Sequence, residues 1–183
     1  AYIDFSGNQS FAGLIDKYNN LIVMQTFSKA MGMASVRIGM AFADPGIVKL
    51  FNKIKPPYNI SAVNQSAVLS TLKNINKSRD QVKRIIKERE RIASALEGMS
   101  FVKTVFPSDA NFLLVKVDNA NKLYNFLIDK NIIVRNRNSV IENCIRITVG
   151  KRTEHNELIR ALREYSFPRR PLPKAPPLKR EGL

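Results

Sequence analysis

The apolar positions change period several times along the chain, and each change marks an element. Phe11, Leu14, Ile15 and Tyr18 recur at helical spacing behind Ser10, whose hydroxyl suits an N-cap. Leu21-Ile22-Val23-Met24 is an unbroken apolar run of strand length and predicts a buried strand over 21–25, and the apolar segment 37–43 predicts a second. Asp44-Pro45 opens a helix with proline in its first turn and Ile47, Leu50, Phe51 and Ile54 on one face. Strand, helix, strand, helix is the order of an α/β layer. Pro56-Pro57 stops it, because proline lacks the amide hydrogen a helix needs.

Beyond that break the pattern predicts a helix over 61–72, with Val63, Ala67, Val68 and Leu72 inward. A longer one follows over 76–97, with Val82, Ile85, Ile86, Ile92, Ala93 and Leu96 as its apolar stripe. Lys83, Arg84, Lys87, Glu88, Arg89, Glu90 and Arg91 fill its other faces, and Gly98 ends it. Such a helix is a solvated lid on a core or a dimer contact. Strands over 101–106 and 111–117, a helix over 119–130, strands over 132–134 and 144–149, and a helix over 153–165 make an α+β module. From Ser166 onward, prolines alternate with Arg and Lys. That composition cannot bury a core and predicts a disordered, extended tail, with Arg170 to Pro176 fitting a basic PxxP ligand pattern as the alternative. The chain thus divides into 1–59, 60–165 and 166–183.

The 183 residues are enough for one sizeable domain or two small ones, and 44% are apolar, as in a globular protein. No apolar run approaches the length of a membrane span, and the start of the chain lacks the basic-then-apolar order of a signal peptide. The expected location is therefore cytoplasmic. One Cys and one His argue against a disulfide and a transition-metal site. The formal charge of +15 favours anionic partners. Much of that excess lies in the long helix and the tail, so a basic nucleic-acid-binding module is the less favoured reading.

Candidate chemistry gathers where the first strand ends. Thr26, Ser28 and Lys29 follow it directly, Gly32 breaks the segment, and Arg37 lies beyond. Ligands in α/β proteins bind at such strand ends. A lysine amine in a lowered-pKa setting forms a Schiff base, and a hydroxyl with a guanidinium suits a phosphate. Either Lys29 or Arg37 taken alone is as compatible with a solvated surface. A second constellation is Arg135, after Ile132-Ile133-Val134, and Arg146 inside Cys144-Ile145-Arg146-Ile147-Thr148-Val149-Gly150. An arginine in an apolar strand requires a partner, either an internal carboxylate or an anionic ligand.

The Thr26-to-Gly39 segment resembles the lysine segment of the pyridoxal-phosphate aminotransferases, where Ser-Lys precedes a loop ending in Arg-Ile-Gly. Ala1-Tyr2 is similar to the second half of the family's Asp-Glu-Ala-Tyr motif, and Ile145 to Gly150 resembles its carboxylate-binding segment. Arg135 stands in the Val-Arg context of the histidinol-phosphate branch. The resemblance implies fold type I: the C-terminal part of the large cofactor-binding α/β domain over 1–59, then interdomain helices and a small α+β domain. It implies that Lys29 carries pyridoxal 5'-phosphate on its amine and moves the proton. Ser28 and Arg37 would hold the cofactor phosphate with support from Thr26, and Tyr2 would bond the ring oxygen. Arg146 would take the α-carboxylate of glutamate or its partner, and Arg135 the phosphate of histidinol phosphate. The implied assembly is a homodimer, without membrane or nucleic acid. The motif's aspartate falls outside this sequence, as does the ring that stacks on the cofactor, so the chain by itself is expected to be incomplete for catalysis. Tyr58 and Asn59 match a Pro-Tyr segment of the same branch, or form a plain linker. Threonine-phosphate decarboxylase, which has the same fold, is the alternative within the family.

Overall fold

A computed structural model describes residues 1–166; the proline-rich tail reading falls on residues outside it. Two short 3-10 turns open the chain, at Ile3–Phe5 and Phe11–Leu14. The second replaces the α-helix expected from Ser10 onward. Ser10 does cap it, accepting from the Ala12 amide, but Gly13 weakens propagation and Phe11 and Tyr18 stay exposed. A stripe that packs against nothing does not hold a helix.

Strands β1 (Ile22–Thr26) and β2 (Gly39–Ala43) pair antiparallel, with Ile22 opposite Ala43 and Thr26 opposite Gly39. They were expected to be buried and are not: Met24 is 78% exposed, and Ile22 and Phe42 are exposed too. A two-stranded ribbon covers neither of its own faces. Between the strands, the loop folds back on itself. The Phe27 amide donates to Ile38 O and the Met33 amide to Phe27 O, so Phe27 and Ile38 bury together against Val68. Gly32 takes φ +67 in this loop, a conformation that favours glycine.

Helix α1 (Pro45–Ile54) begins as expected, with Asp44 accepting from the Gly46 amide at 2.7 Å. No residue of it is buried. Helix α2 (Ala62–Lys73) is capped by Ser61, and of its expected inward positions only Val68 is buried. Helix α3 (Ile75–Glu97) is the long element that ties the molecule together. Val82 packs with Phe5 and Ala30, while Ile92 and Leu96 enter the main core. Arg89 donates to Phe5 O and Ala110 O from one guanidinium nitrogen, joining the N-terminal segment to the second sheet. Gly98 caps the helix at φ −81, so it is not used there for a left-handed turn.

The second sheet has the order β3-β4-β6-β5, all antiparallel, from β3 (Val102–Val105), β4 (Phe112–Val117), β5 (Arg135–Asn136) and β6 (Cys144–Thr148). Alternation sends Leu113, Val115, Val117, Ile145 and Ile147 to one face. There they meet α3, α4 (Ala120–Asp129) and α5 (Arg152–Ser166) through Leu123, Leu127, Leu158 and Leu162. The strand expected over 132–134 lies three residues later. The Ile132 amide turns back to Leu127 O behind Asn131 at φ 58, which occupies that segment with ending α4. Phe112, Leu114, Arg146 and Arg135 fall on the other face of the sheet, away from those helices.

Candidate active site

The site is assembled at the junction of the β1–β2 loop, the N-terminal turn and the open face of the second sheet. Lys29 sits on the loop directly after β1, exposed, with its Nζ 5.8 Å from the centre of the Tyr2 ring. Tyr2 in turn meets Phe112 edge to face, with centroids 5.8 Å apart. Phe112 lies under the Arg146 guanidinium, 5.1 Å from ring centre to Cζ. Lys29, Tyr2, Phe112 and Arg146 thus form a continuous line of contacts from one sheet to the other, although they are far apart in sequence.

Arg146 is half-buried, and its Nε is buried with no hydrogen-bond partner. No ion pair among the described residues involves it, so the internal-carboxylate alternative has no support there. A buried orphaned donor is costly and points to a missing acceptor. Arg135 is exposed and is the direct cross-strand partner of Arg146. Like charges set opposite each other on one sheet face repel, so the pair is stable with anions between or above it.

Next to Lys29, Thr26 Oγ1 donates to Ser28 Oγ at 2.9 Å and accepts from the Ser28 amide at 3.1 Å. Both hydroxyls are thereby fixed at the end of β1. Arg37 is not brought to them by any contact: it is exposed, left-handed at φ 53, and donates to Ala34 O at 2.9 Å. Tyr58 is 99% exposed and touches none of these groups. Cys144 is buried, and burial pushes its thiol up, which leaves it protonated at neutral pH.

One cluster was placed wrongly by the periodic pattern. Glu88, read as part of the solvated side of the long helix, is buried. It accepts from Arg91 Nε at 3.0 Å and contacts His155 Nδ1 at 3.1 Å. A carboxylate can only accept, so Nδ1 donates to it, while Nε2 lies 3.2 Å from both the Gly150 amide and Thr148 O. The cluster therefore fastens α3 to the turn that follows the Arg146 strand. A lone histidine in sequence gave no signal of this. The Arg91 hydrogen bond holds the Glu88 carboxyl below its ordinary 4.5, against the opposing effect of burial, and His155 adds to the lowering. Because the folded value is depressed, this stabilisation is present above pH 4.5 and is lost as pH falls through the folded value. Glu88→Gln is expected to cost about 1.5–3 kcal/mol at pH 7 and less at an acidic pH below 4.5, measured by urea unfolding at both. An equal cost at both pH values would contradict this account.

The family model for aminotransferase class I and II matches residues 1–162. A histidinol-phosphate aminotransferase of Bacteroides fragilis is 47% identical over 167 residues, covering 90% of this chain and 48% of its own length. The crystal structure of the histidinol-phosphate aminotransferase from Clostridium acetobutylicum superposes with a TM-score of 0.78 at 26% identity, over 90% of this chain and 51% of that one. That from Sinorhizobium meliloti, in complex with pyridoxal-5'-phosphate, gives 0.74 at 28%, over 91% and 47%.

The chain belongs to the aminotransferase class I and II family, with the α/β architecture of the fold type I pyridoxal-phosphate enzymes. It spans about half the length of the curated relatives it matches. Pyridoxal phosphate is the cofactor of this class, and the residues present fit it: a lysine amine beside a tyrosine ring, and two hydroxyls already fixed at a strand end.

Proposed function

We propose that this chain supplies the lysine and the two substrate arginines of a histidinol-phosphate aminotransferase. The enzyme would exchange an amino group between histidinol phosphate and 2-oxoglutarate. The observation that carries this reading is the Arg135–Arg146 cross-strand pair, joined through Phe112 and Tyr2 to Lys29. Two arginines at directly opposed positions on one sheet face match a substrate with two anionic groups, or a dicarboxylate in the other half-reaction. When bound, pyridoxal phosphate supplies an electron sink next to the substrate α-carbon. The Lys29 amine takes the proton from that carbon and returns it at the end of the transfer. Arg146 orients the α-carboxylate, and Arg135 holds the phosphate. Ser28, with Thr26 behind it, holds the cofactor phosphate, and Arg37 reaches it by leaving Ala34 O.

The same reading divides the chain near residue 59. The Phe27–Ile38–Val68 cluster then spans that division, with Val68 of α2 packing on the cofactor-binding part, and the large cluster around Val115 and Leu162 is the core of the small domain. It also implies a cytoplasmic homodimer. No helix among the described residues is long and apolar enough to cross a membrane.

The test is a chimera in which the upstream half of the Bacteroides fragilis relative precedes Ala1. It is expected to form glutamate from histidinol phosphate and 2-oxoglutarate, followed by a coupled glutamate assay. A folded, cofactor-loaded chimera that leaves histidinol phosphate untouched but releases carbon dioxide from threonine phosphate would replace this reading with the decarboxylase.

A further inference from the structure

Arg146 has a requirement that most buried arginines meet with a carboxylate. Its charge has to be held in one place, yet a carboxylate that held it would also occupy the donors an incoming anion needs. The structure meets the first need without the second. No ion pair among the described residues reaches Arg146, and its Nε is unbonded, while the Phe112 ring lies 5.1 Å from its Cζ. Phe112 is two residues along β4 from Leu114, the direct cross-strand neighbour of Arg146. The two side chains therefore share one sheet face at diagonal spacing, within reach of an aromatic ring. The ring also meets Tyr2, edge to face at 5.8 Å, and Tyr2 lies beneath Lys29.

We propose that Phe112 is the positioning residue of the substrate site: its ring face holds the Arg146 guanidinium in place while leaving the hydrogen-bonding edge free for the substrate carboxylate. The proposal rests on the reading of Arg146 as the carboxylate arginine. The ring attracts the cation through its quadrupole, which is directional and uses none of the N–H donors. Its contact with Tyr2 sets the distance between the carboxylate end of the site and the lysine end. An aliphatic side chain of similar volume would fill the space but exert no such pull, and an acidic one would neutralise the arginine.

The experiment uses the full 183-residue chain, with 2-oxoglutarate as the probe, affinities by calorimetry and the Arg146 Nε–Hε cross-peak by NMR. Phe112→Leu is expected to weaken binding about tenfold and to diminish the response of the cross-peak to ligand. Phe112→Tyr, which keeps the ring, is expected to stay within about twofold of the parent. Phe112→Glu is expected to abolish binding, because its carboxylate takes the donors. Circular dichroism establishes that each variant is folded. If Phe112→Leu bound as tightly as the parent, or if Leu and Tyr lost affinity equally, the positioning role would be overturned. Retained affinity in Phe112→Glu would overturn it independently, even if the leucine variant did not fold. Arg146→Lys separates the two levels. Unchanged affinity there would remove the carboxylate assignment itself, whereas a large loss there with none in Phe112→Leu would remove only the role of the ring.

Discussion

Lys29→Ala in the chimera is expected to lower the transamination rate by at least about 10⁴-fold, the upper range for a positioned proton-transfer group, and to remove the visible absorbance of bound cofactor. The lysine lies on the loop directly after β1 and beside Tyr2, with no carboxylate among the described residues paired to it. No carboxylate therefore competes for its amine, as the proposed role requires. Lys29→Arg is expected to fail equally, since a guanidinium does not lose its proton near neutral pH. Borohydride reduction after brief exposure to pyridoxal phosphate, followed by peptide mass mapping, gives a second readout. Label should reach Lys29 before it reaches exposed lysines such as Lys17 or Lys49. Indiscriminate labelling, or full turnover in Lys29→Ala, would remove the central assignment.

The second large effect concerns selectivity. A charge-assisted hydrogen bond contributes about 1.5–3 kcal/mol. Arg135→Ala is accordingly expected to lower kcat/KM for histidinol phosphate by roughly ten- to a hundredfold or more. A neutral donor such as leucine, which offers nothing to Arg135, should be affected far less. Arg146→Ala should reduce every amino-acid donor that binds through its α-carboxylate. Both variants are compared with the parent chimera on both donors. Equal losses on histidinol phosphate and leucine in Arg135→Ala would leave a general aminotransferase without a phosphate-reading arginine. The geometry makes the distinction testable because the two arginines are direct neighbours on one sheet face, so the position of one constrains the other.

Much of the second half of the chain was legible because its stripes are complete. Alternation in β4 and β6 and the helical spacing of Leu158, Ile159 and Leu162 each face a surface within the same chain, and those residues are buried as expected. The first half was read correctly as to its two strands and the caps of its later helices, and wrongly as to the helix after Ser10 and as to burial. Asp44 and Ser61 cap their helices, yet Leu50, Ile54, Val63 and Met24 are exposed. Periodicity reports which face of an element is apolar and says nothing of what covers it. Lys29, Ser28 and Arg146 were legible as motifs of charged or hydroxyl groups beside apolar strands. Phe112 was hidden because an aromatic residue in a strand reads as ordinary core. Glu88 was hidden because a carboxylate among lysines and arginines reads as surface. Its burial depends on His155, 67 positions away, which no local pattern reveals.

The register of β6 has a consequence for the fidelity of the site. Arg146 is fixed between Leu114 on one side and Arg135 on the other. A slip of one residue would turn Arg146 toward the helices and bring Ile145 and Ile147, both nearly inaccessible, to the open face. Losing the burial of two isoleucines costs about 3–6 kcal/mol, before the larger cost of a charge placed in the core. At equilibrium, fewer than about one molecule in a hundred would therefore carry the misregistered strand. The placement of Arg146 is proofread by the hydrophobic core on the opposite face. If Arg146 reads the substrate as proposed, selection for that contact and selection for a folded strand act on the same five residues, and a change that loosens Ile145 or Ile147 should erode binding without touching Arg146 itself.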